Sequence, residues 1–176
     1  MSSALDFESL VRRYERDLYR FALSLTGCEA NACDLVQETF YTWATKGHQL
    51  RNPRLVKSWL FTTLHREFLH TLRHRDRYSD DEISTLEVDL PAVQPDAFAR
   101  LDSATAMQCL AQLEERYRGP IALYYLEDYS YLEISSILAI PLGTVQSRIA
   151  RGKTQLLRML TEVSTAGHHP GGPHDP

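Results

Sequence analysis

The sequence has few cysteines and no long apolar run. Its three cysteines, Cys28, Cys33 and Cys109, form neither a CxxC motif nor a paired metal-binding spacing, which indicates free thiols in a reducing compartment. No segment approaches the ~18 consecutive apolar residues of a membrane span. The N-terminus is charged from Asp6 onward and lacks the apolar core of an export signal. We therefore expect a cytoplasmic protein without a membrane span.

The motifs of common catalytic sites are also missing. The sequence contains no Gly-rich phosphate loop, no HExxH pair and no nucleophile elbow, so we expect no enzyme and no cofactor. His70 and His74 have a spacing that can bind a metal ion, but no third ligand accompanies them. Contact with phosphate or plain exposure is the favoured interpretation of both histidines, and no metal site is predicted.

Charges of one sign are missing from two segments. The chain of 176 residues has a net charge of −4, which argues against a uniformly basic nucleic-acid-binding protein. Residues 78–99 contain six acids and no Lys or Arg, whereas residues 141–160 contain four basic residues and no acid. Residues 50–77 hold seven basic and two acidic residues. Pro91, Pro95 and the lack of apolar periodicity predict an acidic linker at 78–99 between two small helical units.

Three amphipathic helices are predicted before this linker, at residues 5–26, 29–46 and 54–77. Gly27 is the expected C-terminal cap of the first helix. The segment 46–53 reads as a polar connector between the other two. The apolar residues that recur at helical spacing, and are expected to form the core, are Leu10, Tyr14, Leu18, Phe21, Leu25, Ala32, Val36, Phe40, Trp43, Val56, Leu60, Leu64 and Phe68.

Beyond the linker, a helix is predicted at residues 100–113, followed by a turn at 114–119 and a helix that starts at Pro120. The chain then continues into two helices joined by a tight corner. Ser130 and Glu133 fit a capping box at the start of the first of these two helices. Pro141 should end that helix, Gly143 should give the corner its freedom, and Thr144 should start the next helix. The expected apolar faces comprise Leu132, Ile134, Ile137 and Leu138, then Val145, Ile149, Leu156 and Leu157.

The polar face of the last helix is cationic. Arg148, Arg151 and Lys153 share it, and no acid opposes them. A short cationic helix held by a partner helix suits insertion into the DNA major groove. The alternative is a solvated face on an ordinary helical hairpin. The corner, the polar row and the missing acids together favour DNA.

Residues 131–153 resemble region 4 of the extracytoplasmic-function (ECF) sigma factors of bacterial RNA polymerase. The family pattern is Tyr-x-Glu-Ile-Ala-x-x-Leu-x-x-Pro-x-Gly-Thr-Val-Lys/Arg-Ser-Arg-Leu-x-Arg-Ala/Gly, and Gln146 departs from it where Lys or Arg is common. The resemblance implies that this unit reads the minus-thirty-five element. By the same resemblance, the residues expected to approach base edges are Gln146, Ser147, Ala150 and Arg151, and those expected to contact phosphate are Thr144, Arg148 and Lys153.

The segment from Asp34 to Trp43 resembles the family motif Asp-Leu-x-Gln-Glu-x-Phe-x-x-x-Trp of region 2. In that family the surface docks on the clamp helices of the polymerase's largest subunit. The residues that this implies for polymerase binding are Asp34, Gln37, Glu38 and Tyr41. Taken without the resemblance, the same pattern favours a charged helix face in water.

The loop 46–53 and the following run from Trp59 to Arg75 resemble the part of region 2 that captures and melts the minus-ten element. Arg66 and His70 depart from the family's Asn and Asp. The residues implied for this contact are Arg51, Asn52, Arg54, Arg66, His70, Arg73 and Arg75. The interleaved aromatics Trp59, Phe61 and Phe68 complete a stacking-and-phosphate profile, although Trp59 is favoured as a core residue.

The predicted fold is all-α, with a region 2-like domain at 1–77, a linker at 78–99, a region 4-like helix-turn-helix domain at 100–163 and a disordered tail at 164–176. The predicted function is that of an ECF sigma factor whose two domains grip one promoter. Its expected partners are promoter DNA, core RNA polymerase (the clamp helices and the flap of the second-largest subunit) and an anti-sigma factor. The alternative is a stand-alone helix-turn-helix regulator, which would not need the Asp34–Trp43 motif or the basic third helix.

Overall fold

The computed structural model describes residues 7–76 and 103–166, with side chains described for 7–73 and 107–159. Over these ranges the chain forms seven α-helices and two short 3-10 turns, and no strand. The helices are α1 (Phe7–Thr26), α2 (Glu29–Lys46), α3 (Val56–Asp76), α4 (Ser103–Gln112), α5 (Glu115–Tyr125), α6 (Tyr131–Leu138) and α7 (Leu142–Ala166), and the turns are Gly47–Gln49 and Pro53–Leu55. The all-α prediction is confirmed.

Helices α1, α2 and α3 pack on one another and form the N-terminal unit. The predicted apolar stripes face inward, and Leu10, Leu18 and Phe21 are fully buried. Gly27 adopts a φ of 62° after α1, and its amide donates to the Leu23 carbonyl at 2.8 Å. A left-handed residue at this place is easiest for glycine, so the predicted cap is confirmed.

Helices α4 to α7 form the C-terminal unit, in which α5 differs from the prediction. It begins at Glu115, and Pro120 lies inside it instead of at its start. Tyr117 is only 5% exposed, and Arg118 folds back to donate to the carbonyls of Ala111 and Leu113 at 2.9 and 2.8 Å. These contacts fix residues 115–119 as helix, which outweighs the cost of a proline within it.

The two units are docked against each other. Helix α1 contacts α4 and α5, α3 contacts α6, and the buried side chains of both units form a contiguous cluster. At one contact a Cβ on Gly119 of α5 would lie 3.3 Å from Leu25 Cδ2 of α1. The sequence suggested two tethered units working at opposite ends of a promoter, and the observed pose instead brings them together because each has an apolar surface left over for the other.

The predicted linker at 78–99 lies outside the described residues, as do residues 167–176 of the predicted tail. Helix α7 continues to Ala166, into the first residues assigned to that tail.

In the described part of the chain, no helix is long and apolar enough to cross a bilayer. Nor does that part bring three metal-ligating side chains together. Cys28 and Cys33 are exposed and Cys109 is buried, all as free thiols.

Candidate nucleic-acid interface

The corner between α6 and α7 is built by local hydrogen bonds. The Ser130 amide donates to Glu133 Oε2 at 2.9 Å and the Glu133 amide donates to Ser130 Oγ at 3.4 Å, which together form the predicted capping box. The Ser130 hydroxyl also donates to Glu133 Oε2, at 2.6 Å. These bonds lower the pKa of the Glu133 carboxyl. The left-handed residue at the corner is Ala139, with a φ of 54°, and the Ser135 hydroxyl donates to the Ile140 carbonyl at 2.7 Å. The corner is therefore fixed before α7 begins.

Two details of the predicted corner are wrong. Helix α7 starts at Leu142, so Gly143 lies in its first turn and Thr144 is not its first residue. Ala139 and the fixed φ of Pro141 supply the turn that was assigned to Gly143. Leu132, expected on the buried face of α6, is 71% exposed. Ile134, two residues later, is fully buried, and residues two apart do not share a face of a helix, so Leu132 points outward.

Helix α7 packs inward through Val145, Ile149 and Leu156, as predicted, whereas Leu157 is half-buried. Gly152 is also buried, against Ile121 and Tyr117 of α5. The seven residues predicted to face DNA all lie off the buried stripe: Gln146, Ser147 and Ala150 are exposed, and Thr144, Arg148, Arg151 and Lys153 are half-buried. The helix thus presents one continuous polar row.

Arg148 is half-buried. Its burial, followed by the charge of Arg116, lowers the pKa of its guanidinium. On α3, His65 is partly buried close to Arg148, and its pKa falls to about 4, first because of burial and then because of that arginine. One predicted phosphate contact is therefore partly covered in this pose.

The loop after α2 is tied to a pair of indoles. The Trp43 and Trp59 rings lie edge to face, 5.1 Å apart, and Gly47 rests on Trp43. Asn52 Oδ1 accepts from the Arg54 amide at 3.1 Å and caps the second 3-10 turn. The predicted minus-ten residues Arg51, Asn52 and Arg54 are all exposed.

Helix α3 carries the remaining predicted minus-ten residues. Arg66, His70 and Arg73 are exposed, whereas the side chain of Arg75 lies outside the described ones. Of the three aromatics proposed for base stacking, Phe61 and Phe68 are buried and Trp59 is half-buried. In the docked pose these rings are not available for base stacking, because they pack in the core and in the contact between the units.

The predicted polymerase-binding residues share the outer face of α2. Asp34, Gln37, Glu38 and Tyr41 are all exposed, Tyr41 at 65%. Asp34 and Glu38 also border a groove of about 560 Å³ between the N-terminal unit and α5, whose wall includes Arg118. Among the described side chains, only those in the walls of that groove compete with a docking partner for the polar groups of this face.

An ion-paired contact between the units was missed by sequence reasoning. Glu127, in the loop between α5 and α6, has a side chain that is 2% exposed. Arg20 of α1 donates to its Oε1 at 2.8 Å, and Lys57 Nζ of α3 lies 3.5 Å from its Oε2. The sequence signal was the acid pair Glu127–Asp128 set directly after an apolar stretch, which by itself did not name its cationic partners.

The chain matches two family models. The Sigma-70 region 2 model matches residues 10–78, and the Sigma-70 region 4 model matches residues 103–156. These matches cover the N-terminal unit and the helix-turn-helix of the C-terminal unit. They define a sigma-type transcription initiation factor.

Individual relatives agree. The chain is 30% identical over 155 residues to the ECF RNA polymerase sigma factor SigM of Bacillus subtilis, covering 86% of this chain and 93% of that protein. It is 32% identical over 164 residues to SigE of Mycolicibacterium smegmatis, covering 90% of this chain and 63% of that longer protein. The chain therefore belongs to the ECF sigma factors of RNA polymerase, and the resemblance seen in the sequence is confirmed.

Solved structures show the same fold. The sigma factor RpoE of Bartonella quintana, crystallised with the anti-sigma factor NepR, superposes with a TM-score of 0.69 at 29% identity, covering 89% of this chain and 97% of that one. CnrH in complex with the cytosolic domain of CnrY gives a TM-score of 0.60 at 24% identity and supports the fold alone.

Proposed function

We propose that this ECF sigma factor binds core RNA polymerase through the outer face of α2, melts the minus-ten element with the loop 46–53 and α3, and reads the minus-thirty-five duplex with α7. The observation that carries the proposal is the polar row of α7. It stands on a helix-turn-helix, lies off the buried stripe of α7 and belongs to a segment, 141–160, with no acidic residue. A helix of this kind fits the major groove and its phosphates.

The polymerase contact is supported by the exposure of Asp34, Gln37, Glu38 and Tyr41 on one helix. A large exposed aromatic among polar groups is typical of an interface, since it buries much surface on binding at a small entropic cost. The partner expected there is the clamp-helix surface of the largest subunit, with the flap of the second-largest subunit contacting the C-terminal unit.

The docked pose corresponds to the inactive state in this proposal. Arg148 is half-buried, and its charge helps to lower the pKa of His65 on α3, so α7 does not present its whole polar row in this pose. An anti-sigma factor that binds both units would hold this pose. The Bartonella relative solved with its anti-sigma factor supports such control. The protein would then act in the cytoplasm, where polymerase and chromosome are.

Run-off transcription with purified core polymerase on a promoter library tests the proposal. We expect initiation only when core enzyme and this protein are both present, at promoters that share minus-ten and minus-thirty-five elements. A stand-alone regulator would instead footprint duplex DNA without core enzyme. The region 2 match over residues 10–78 makes that alternative the less favoured one.

A further inference from the structure

Glu127 occupies an anion site on the N-terminal unit. Its carboxylate lies between the Arg20 guanidinium at 2.8 Å and the Lys57 ammonium at 3.5 Å. Arg20 also donates to the Leu126 carbonyl at 3.3 Å, and Lys57 to the Glu127 carbonyl at 3.3 Å. Two cations that converge on oxygen acceptors can bind a phosphodiester as readily as a carboxylate.

An aromatic contact lies beside this ion pair. Tyr129 covers the buried Phe61 ring of α3 at a centroid distance of 5.5 Å, edge to face. Lys57 Nζ lies 5.0 Å from the Tyr129 centroid and 5.7 Å from the Phe61 centroid. Without Tyr129 and Glu127, the N-terminal unit would present an aromatic ring flanked by Lys57 and by Arg20, which keeps its ion pair with Asp17 at 3.1 Å. Rings with neighbouring cations are the usual platform for single-stranded nucleic acid.

This surface continues the predicted minus-ten surface. Lys57 lies in the first turn of α3, three residues after the exposed Arg54 of the preceding 3-10 turn. Phe61 follows Lys57 by one turn on the same side of α3. A strand bound at the loop 46–53 can therefore pass directly onto Lys57 and Phe61.

Docking of the 126–130 loop includes unfavourable free-energy contributions. Burial, and after it the charge of Asp17, raise the pKa of Glu127 although Arg20 and Lys57 both oppose the rise, so the cations do not fully compensate for the cost of placing the carboxylate there. Arg20 Nε and Tyr129 Oη are buried without a hydrogen-bond partner. Asp128, between the two inserted residues, has a φ of 56°. Unpaired buried polar atoms and a left-handed non-glycine residue both favour release of the loop.

We propose that Arg20, Lys57 and Phe61 form a binding site for single-stranded DNA, and that the 126–130 loop occupies it in the docked pose as a nucleic-acid mimic. Glu127 takes the place of a phosphate and Tyr129 that of a base. The C-terminal unit thereby blocks part of the melted-strand surface until the units separate. The inference deepens the proposed function, because it names residues and a ligand class for the minus-ten surface.

Binding of a fluorescein-labelled oligothymidylate of about 12 nucleotides to the full chain, followed by anisotropy, tests this site directly. Glu127→Gln should raise the affinity about threefold to tenfold, because the apparent dissociation constant falls as the open fraction rises. Glu15→Gln, an exposed acid on α1, makes the same change in net charge and should leave the affinity within about twofold of wild type.

The site residues are tested in the released background. Adding Lys57→Met to Glu127→Gln should remove most of the gain, whereas adding Arg16→Met, a matched loss of one exposed cation, should not. If Glu127→Gln perturbs folding, as seen by circular dichroism, Tyr129→Leu replaces it, since leucine loses the edge-to-face contact with Phe61 and the contact of the Tyr129 ring with the Lys57 ammonium. It should also tighten binding.

Equal affinities for wild type, Glu127→Gln and Tyr129→Leu would overturn the mimicry, as would a gain that survives Lys57→Met. Run-off transcription with core polymerase separates this outcome from failure of the proposed function. Normal promoter-directed transcription by wild type with no effect of Glu127→Gln on strand binding would refute the mimic alone. No transcription, with the predicted strand binding intact, would refute the sigma function and leave the site standing.

Discussion

Gly152 of α7 lies directly against Ile121 of α5. A Cβ at position 152 would be 2.8 Å from Ile121 Cγ1 and 3.1 Å from Tyr117 Cβ, closer than real methyl contacts. Gly152 stands between Arg151 and Lys153, so the absent side chain sets how closely the reading helix approaches its support. The position therefore links core packing to the placement of the proposed DNA contacts.

Gly152→Ala should lower the free energy of unfolding by about 1–3 kcal/mol, because overpacking the α5–α7 contact outweighs the gain in helix propensity. Gly143→Ala is the matched control. It adds the same methyl group to the same helix, where nothing lies within 4 Å, and should be neutral or stabilising by up to about 1 kcal/mol. Urea unfolding of both variants checks the signs, and equal effects would show that the close approach is unimportant.

Gly47→Ala should displace the loop 46–53. A Cβ there would lie 2.6 Å from Trp43 Cδ2, and the Gly47 amide also donates to the Trp43 carbonyl. We expect a loss of about 1–3 kcal/mol in stability and weaker melting of the minus-ten element. Fluorescence of 2-aminopurine in the promoter, with core polymerase present, would measure melting.

The Gly47 prediction has an internal control. Replacing Trp43 by Ala removes all three ring atoms that the new methyl group would meet. The double variant Trp43→Ala, Gly47→Ala should therefore cost less than the sum of the single changes. Additive costs would mean that the methyl group is accommodated in some other way.

Within each unit, sequence periodicity predicted most of the fold. The stripe of α1, the exact span of α2 and the Ser130–Glu133 capping box were all readable, because each depends on residues within one or two turns. Residue Pro120 misled the prediction of α5, because Tyr117 is buried against Gly152 of α7, 35 residues further along the chain. Local patterns do not carry that information.

The contact between the units was not readable for the same reason. Glu127 meets Arg20 and Lys57 across 107 and 70 residues of chain. No spacing rule connects such positions. The exposure of the α2 face and of the α7 polar row agreed with the sequence, because exposed residues need only avoid the apolar stripe. The burial of the Phe61 and Phe68 rings did not agree with their proposed role in base stacking. The same helical periodicity is expected of a core face and of a stacking surface, so it does not distinguish them.

Acidification should weaken the docked fold through His65. Burial and Arg148 hold the pKa of His65 at about 4, against ~6.5 when the side chain is solvated. Between these values the unfolded or separated chain binds more protons, so stability falls as pH drops from about 6.5 towards 4 and is fully present above that window. Glu127, whose pKa burial raises, contributes in the opposite sense.

Urea unfolding at about pH 7.5 and about pH 5.5 measures the effect. Wild type should lose stability at the lower pH, and His65→Gln should lose less, since it removes the group that must stay neutral. His48→Gln, which replaces an exposed histidine in the turn after α2, is the control and should follow wild type. A His65→Gln profile that coincides with wild type would exclude this linkage.

Arg151 and Lys153 should differ in what they contribute to promoter recognition. Both lie on the polar row of α7, half-buried, one residue either side of Gly152. In the proposed pose Arg151 reaches a guanine edge, so Arg151→Ala should relax specificity at one base pair by ~1–3 kcal/mol. Lys153 contacts phosphate, so Lys153→Ala should weaken binding to all sequences alike and reduce the salt dependence of binding.

Competition for holoenzyme between the preferred promoter and single-base variants of its minus-thirty-five element distinguishes these two roles. Loss of a base contact changes the ratio of affinities between promoters, whereas loss of a phosphate contact does not. Uniform losses from both substitutions would show that Arg151 does not read a base, and α7 would then position the duplex without reading it through this side chain.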